Sequence, residues 1–442
     1  MSTPICDFVR GYCETVAIRL HMPGHKGHGE LGCEVFDITE VAGADDLACP
    51  EGIILESEEN TTELFGSRHT FYATGGSSQC VKAMLHLAYI YRPEGATNRI
   101  LAARNAHKSF LHGCALLGLE PVWLYPDKAS PICSCPVAPE TLERALDKNE
   151  RPFAVYITSP DYLGGVQDIQ ALAAVCHRHG LPLLVDNAHG AYLKFLLPSQ
   201  HPLDLGADMC CDSAHKTLPV LTGGAYLHVA EDALAAYEDE ARHSLSVFGS
   251  SSPSYLTLQS LDICADRLDK DYPIYIRRTA LRVAELARAL GLTPPDGDPL
   301  KLAIPARDFD CTGYELAACL RDWRTEPEYV DEDWLVLMFS PELGEGACDV
   351  VRRSLPHRHP SDWVPRSLPS PGERVLSPRE ALLSRRESVP VSQSAGRVCA
   401  EAAVSCPPAI PVVICGERIT PGTAEFMEAL GLREISVAVG LA

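Results

Sequence analysis

No stretch of this sequence is long and apolar enough to cross a membrane, and its first residues, MSTPICDFVRGYCE, lack the apolar core of a secretory leader. A soluble, cytoplasmic protein is expected. Basic charge is scarce: 38 Lys and Arg stand against 59 Asp and Glu, a formal charge of -21. That deficit argues against nucleic acid or an anionic membrane as a partner and is compatible with a cationic substrate. No pair of cysteines has the C-x-x-C spacing of a zinc or redox site. The 18 cysteines are scattered through apolar segments, as at Cys80, Cys114, Cys176, Cys264 and Cys319, so reduced thiols are expected rather than a disulfide framework. There is no internal repeat.

What is present is a chain of 442 residues, 46% hydrophobic and 22% charged, with room for two domains. Its centre is the run LLVDNAHGAYLKF followed by GADMCCDSAHKTLPVLTGGAYLHV. In LPLLVD an apolar stretch closes on Asp186, the pattern of a buried strand that delivers a carboxylate at its C-terminal end. Thirty residues later, ADMCCDSAHK delivers Lys216 in the same way. A lysine flanked by Ser213, His215 and Thr217, with an aspartate on a neighbouring strand end, suits pyridoxal phosphate (PLP). The amine forms a Schiff base, the carboxylate keeps the pyridine nitrogen protonated, and hydroxyl and imidazole groups reach the phosphate.

The rest of the first 262 residues reads as a frame for these two. The strand RHTFYAT runs into Gly75, Gly76, Ser77 and Ser78 and then a helix to about Ile90, an arrangement that aims backbone N–H groups at an anion. From Ile100 strands and helices alternate (RILAAR, HKSFLHGCALLG, PVWLY, APETLERALDK, FAVYITSP, DIQALAAVCHRHG, LPLLVD), the rhythm of an α/β fold with a mostly parallel sheet. Candidate residues therefore sit at strand ends: Asn105 and His107, Thr158 and Ser159, Asp186 and His189, Ser213 to Lys216. The serines at 250–254 precede a helix start and could offer hydroxyls to a phosphate, in this or a neighbouring subunit. In HMPGHKGHG, the Gly and Pro between His21, His25 and His28 deny them one helical face, so a structured loop is expected there and no metal. Beyond Asp262 the chain reads as one long helix, LDKDYPIYIRRTALRVAELARALG, then the short strands KLAIPA and WLVLMFSP of a second, α+β domain. A Pro-, Ser- and Arg-rich connection follows at 355–378, and the tail regains a helix at AGRVCAEAAVSC, a strand and a final helix. The expected division is an N-terminal segment 1–50, a large domain 51–262 and a C-terminal α+β domain 263–442.

With these residues in view, the chain resembles the bacterial PLP-dependent Orn/Lys/Arg decarboxylases, and is similar to their shorter members. The stretches that carry the likeness are HMPGHKGH at 21–28, DITEVAGADDL at 37–47, RNAHKS at 104–109, TSPDYLGGVQDI at 158–169, VDNAHGAYLKF at 185–195, DSAHKTLPVLTGGAYLH at 212–228, SSPSYLTLQSLD at 251–262 and CPPAIPVVICGERI at 406–419. Two positions depart from the family pattern: TGGSS at 74–78 replaces an Asn-Gly-Thr-Ser form, and Ala409 stands where Gly is usual. Neither removes a reacting group.

The resemblance implies the aspartate-aminotransferase fold, PLP fold type I, with a large mostly parallel domain and a smaller C-terminal one. It implies that Lys216 is the Schiff-base lysine, Asp186 the partner of the pyridine nitrogen and His107 the imidazole stacked on the ring. Ser77, Ser78, Ser213 and His215 would hold the phosphate, Thr158 and Ser159 would lie near the ring hydroxyl, and His189 against the ring or the substrate carboxylate. The implied reaction is loss of CO2 from a basic L-amino acid, with arginine and lysine ahead of ornithine, in a homodimer or larger homo-oligomer. Asp45, Asp46 and Glu328 are candidates to face the substrate's distal cation. Two alternatives differ in kind. One is an aminotransferase or other PLP lyase, of which transamination would need a clamp, usually Arg, on the substrate carboxylate, a place the sequence does not assign to Arg352 or Arg353; the other is a non-catalytic binding or regulatory relative, which would have no need of an intact Lys216 and Asp186.

Overall fold

The computed structural model describes residues 1–16, 18–126, 130–359, 368–404 and 411–440. They form two compact units, each assembled from two chain segments: Met1–Tyr91 with Pro182–Arg277, and Arg92–Leu181 with Arg278–Ala442. A boundary at 262–263 falls inside the helix Tyr255–Asp269.

Seven strands matter for the site: β1 (His69–Ala73), β2 (Arg99–Ala103), β3 (Glu120–Leu124), β4 (Ala154–Thr158), β5 (Leu183–Asp186), β6 (Met209–Asp212) and β7 (Ala225–Val229). In the first unit the order is β1-β7-β6-β5, with β5 and β6 parallel and β7 antiparallel to both its neighbours. Every residue of β5, β6 and β7 is buried, as their unbroken apolar runs require. The helix Ser77–Ile90 buries Cys80, Val81, Ala83, Met84, Leu85, Leu87 and Ala88, so it is covered nearly all round. Its entry turn needs glycine: Gly76 has φ 71° and donates its N–H to Gly223 O at 2.8 Å. Gly223, at φ 97°, comes so close that a Cβ there would lie 2.8 Å from Thr74 O. The glycines of TGGSS and LTGG thus let two turns touch through their backbones.

In the second unit β2 lies between β3 and β4, parallel to both. Just beyond β2, Arg104 is 1% exposed and makes a two-pronged ion pair with Glu417, at 2.7 and 2.8 Å. The Trp123 ring lies under the guanidinium, 5.1 Å away, and Glu417 also accepts the Ile414 N–H. A separate core forms around Val283, Leu286, Leu302, Ile304, Leu316, Leu335 and Leu337, where the strands β8 (Lys301–Pro305), β9 (Tyr329–Val330) and β10 (Trp334–Met338) make an antiparallel sheet in the order β8-β10-β9.

Two expectations are corrected. The long helix expected at 268–291 starts only at Tyr272 and runs to Ala289, the first two residues of that span closing the preceding helix Tyr255–Asp269. Pro273 has no N–H to give the preceding turn, so it fits the first turn of a new helix and ends the old one. Among the described residues of AGRVCAEAAVSC, 395–404, no helix forms. Val398 and Cys399 instead make β-bridges to Arg418 and Val437, and Ala403–Val404 pairs with Val413–Ile414. A final strand Glu434–Ala438 pairs with Arg386–Pro390, a long-range partner that local periodicity cannot reveal. Within the expected connection and closing segment, residues 360–367 and 405–410, including Ala409, lie outside the described residues.

Candidate active site

Parallel strands deliver their chain ends to one edge, and β5 and β6 do so in register, with Asp186 opposite Cys211. Asp186 ends β5. Beyond Asp212, which ends β6, Ser213 leads into a single helical turn, Ala214–Thr217, that carries His215 and Lys216. Lys216 is exposed, and its Nζ lies 3.2 Å from Nε2 of His189. His189 stands three residues after Asp186, so this contact joins the two strand ends. The Asp186 carboxylate is 3% exposed; its Oδ1 accepts the Ala188 N–H at 3.2 Å and faces the Cys211 thiol at 3.8 Å.

A second cluster lies in the same unit. Ser213 Oγ donates to Ser77 Oγ at 2.7 Å, at the first residue of the helix Ser77–Ile90, and Ser78 follows on that turn. Free N–H groups and hydroxyls at a helix start are an anion site. The His215 ring donates from Nδ1 to Gly224 O at 2.9 Å. Burial holds this ring below its ordinary pKa, with the Lys216 charge adding to it against the Gly224 bond. Next to Lys216, the Thr217 hydroxyl is buried with no hydrogen-bond partner among the described residues. An amine, a buried carboxylate, a hydroxyl-lined helix start and an orphaned hydroxyl beside the amine are the donor set that PLP takes, so the residues fit that group.

Three other expected residues lie in the second unit, at the ends of its parallel strands. His107 caps the helix Lys108–Leu117, its Nδ1 accepting the Ser109 N–H at 3.3 Å and meeting Ser109 Oγ at 2.8 Å. Thr158 ends β4 with its hydroxyl buried and, among the described residues, without a hydrogen-bond partner. Ser159 is buried, and its Oγ accepts the Gln167 N–H at 3.1 Å.

Several candidates have structural employment. Asp45 accepts backbone N–H groups from Asp46, Glu51, Gly52 and Ile54, at 2.9 to 3.0 Å. Its burial would raise the carboxyl's pKa, but these bonds outweigh that and hold it low, which makes Asp45 a cap for the helix Ile53–Phe65. Asp46 accepts the Ala48 N–H at 2.8 Å, and Glu328 the Tyr162 hydroxyl at 2.7 Å. Ser254 caps the helix Tyr255–Asp269, and Ser250 accepts the Ser252 N–H. His25 bridges Asp37 and the Gly27 N–H, and His21 bonds Tyr12. Arg352 and Arg353 lie on the last turn of the helix Ala347–Ser354.

Sequence reasoning missed one group altogether: His201, Cys210, Asp212 and His228, all buried, whose ligand-type atoms lie within 4.8 Å of one another. Asp212 was legible only as the residue before Ser213; the histidines come from a 3-10 turn and from β7, and no spacing connects them.

Comparison with known proteins bears on the whole chain. Two family profiles match: the major domain of Orn/Lys/Arg decarboxylase over residues 3–289, and its C-terminal domain over 370–434. The uncharacterized protein YaaO of Bacillus subtilis is 30% identical over 467 residues, covering 97% of this chain and 94% of the relative. An arginine decarboxylase of Halalkalibacterium halodurans is also 30% identical, over 96% of this chain and 92% of the relative. Among solved structures, the constitutive lysine decarboxylase of E. coli superposes with a TM-score of 0.78 at 17% identity, covering 99% of this chain and 82% of that one.

Proposed function

Since the chain belongs to the Orn/Lys/Arg decarboxylase family, and is therefore a PLP-dependent lyase of fold type I acting on a basic amino acid, we propose that arginine is its preferred substrate and that Lys216 and Asp186 are the centre of its site. The choice of arginine rests on the Halalkalibacterium halodurans relative, similar along nearly its full length. The observation that carries the site is the contact of Lys216 Nζ with His189 Nε2, at the ends of adjacent parallel strands that also present Asp186.

In this reading Lys216 would hold the cofactor's aldehyde carbon, Asp186 its ring nitrogen, and Ser77, Ser78, Ser213 and His215 its phosphate. His107 would cover the ring, and Thr158 and Ser159 would meet its hydroxyl. When bound, PLP supplies a sink for the electron pair released as the bond between Cα and the carboxylate breaks. Asp186 contributes by keeping a proton on the ring nitrogen, since a neighbouring carboxylate favours the cationic form. Once CO2 has left, Cα needs a proton. Lys216 and His189, within hydrogen-bond reach of each other, form a donor pair in which either group restores the other.

We also take the working form to be a homodimer or larger. The N-terminal loop leaves Ile18, Leu20 and Leu31 at 76%, 93% and 85% exposure, apolar surface that a second copy would cover.

The test is a panel of L-arginine, L-lysine and L-ornithine with the PLP-loaded protein, scored for CO2 and amine. Arginine should give both in equal amounts at the highest kcat/KM. A keto acid without CO2, or no CO2 from any of the three, overturns the proposal.

A further inference from the structure

The buried cluster around Asp212 lies outside the residues assigned to cofactor and substrate, yet it is joined to the chain on both sides of the Lys216–His189 contact, at Asn187 and at Ser213. Asp212, His201, His228 and Asn187 are each 0% exposed. Asp212 Oδ2 takes His201 Nε2 at 3.0 Å and His228 Nε2 at 3.1 Å, while Oδ1 takes Asn187 Nδ2 at 2.6 Å. The ring protons can be placed. His201 Nδ1 accepts the Leu203 N–H, so its proton is on Nε2 and is donated to Asp212. His228 Nδ1 meets Thr70 Oγ1 at 2.8 Å, and Thr70 in turn meets Ser67 at 2.7 Å. The Phe65 ring packs on both imidazoles, with centroids 5.3 and 4.5 Å away, and keeps water out. A metal in this cluster would have to displace the Nε2 protons that the carboxylate already holds, so the group is complete as a hydrogen-bonded network.

Asn187 shows where the network leads. Its Nδ2 is held by Asp212, but its Oδ1 is buried with no hydrogen-bond partner among the described residues. An unsatisfied buried acceptor is costly, so the amide is held in this orientation by its bond to Asp212 against its own preference. The amide also presses on the next turn: a Cβ at Gly190 would lie 1.9 Å from Asn187 Oδ1, and the Gly190 N–H closes the turn on Asn187 O at 2.7 Å. That turn carries His189. On its other side, Asp212 is bonded directly to Ser213, whose carbonyl accepts the Lys216 N–H at 2.9 Å.

From this geometry we infer that Asp212 is a positioning residue: through Asn187 it sets the turn bearing His189, and through Ser213 the turn bearing Lys216, so that one buried carboxylate fixes the distance between the two. The inference rests on the reading of Lys216 and His189 given above. Two imidazole donors brace the carboxylate, His228 from β7 and His201 from the N-cap of the 3-10 turn Pro202–Leu205, so it cannot follow a side chain that moves.

The test uses full-length Asp212→Asn and the milder Asn187→Ala, which leaves both imidazole bonds in place. In each, the PLP dissociation constant, measured by titrating the apo-protein, should rise about 10-fold to 100-fold, the range for partners that orient a binding group. The kcat should fall by a similar factor with KM for the amino acid unchanged, and amide exchange should quicken at 187–190 and 213–217 but not in the helix Tyr272–Ala289. Wild-type PLP affinity and kcat in both variants overturn the inference while leaving the decarboxylase reading intact. Stoichiometric zinc in the purified wild type also overturns it, by making Asp212 a ligand. If Asp212→Asn fails to fold, Asn187→Ala decides alone. A wild-type protein that binds no PLP refutes the reading of the site itself.

Discussion

The amine of Lys216 and Nε2 of His189 stand 3.2 Å apart. At that distance one group carries a proton and the other a lone pair, and loss of either leaves Cα with a poorer donor. Lys216→Ala should abolish turnover. His189→Ala should retain cofactor and lower kcat by about 100-fold to 10,000-fold, the usual worth of a positioned acid-base group. Steady-state kinetics beside a PLP-content assay separates the two; an active Lys216→Ala enzyme would sink the assignment.

Asp186 is buried at the end of β5, and its replacement should act on chemistry rather than on folding. Asp186→Asn keeps size and hydrogen bonding to Ala188 but loses the charge that favours a proton on the ring nitrogen. We expect kcat lower by at least about 100-fold, as for other groups that stabilise developing charge. The melting temperature should stay close to that of the wild type.

The Ser213–Ser77 contact predicts a different signature. Each hydroxyl lost from a phosphate site removes a hydrogen bond to a charged group, about 1.5 to 3 kcal/mol, or about tenfold to 100-fold in affinity. Ser213→Ala and Ser77→Ala should therefore raise the PLP dissociation constant by that factor, measured by equilibrium dialysis on the apo-protein. Saturating PLP should restore most of kcat.

The Arg104–Glu417 pair is a stability prediction. Removing one partner leaves a buried charge uncompensated, so Glu417→Ala should cost about 3 to 5 kcal/mol by urea unfolding. The double variant Arg104→Met with Glu417→Leu should recover most of that loss, because the penalty belongs to the stranded charge. Equal losses in single and double variants would contradict this account.

Asp262 offers a pH test. Its carboxyl is 1% exposed, and burial pushes it up to about 6 from 3.8, although it accepts bonds from the Cys6 N–H and the Ser57 hydroxyl. Because the folded value is the higher one, the contribution to stability is complete below about 4 and is lost as pH rises through about 6. The gap corresponds to about 3 kcal/mol. Relative to Asp262→Asn, the wild type should lose about 2 kcal/mol of that between pH 4.5 and 7.5 in urea midpoints, and parallel curves would refute the assignment.

Much of the frame was legible because it is local. From Ile100 to Val229 each strand is an apolar run with its own turn signals, and Asp186 and Lys216 declare themselves by closing such runs. Where the structure differs, a distant partner decides. Val398 and Cys399 form bridges because residues 418 and 437 come to them, and Asp45 is taken up by N–H groups as far along as Ile54. The Asp212 network was hidden for the same reason: its imidazoles are 11 and 16 residues away in opposite directions along the chain, and meet only after β7 has folded back onto β6.

The bond between Arg104 and Glu417 limits how this protein can be dissected. The two residues are 313 positions apart, one in the region matched by the major-domain profile and the other in the region matched by the C-terminal one. A truncation that stops short of residue 417 would leave a cation in an apolar interior three residues before His107. For expression or for domain grafting, the last quarter of the chain is therefore the missing counter-ion of the first.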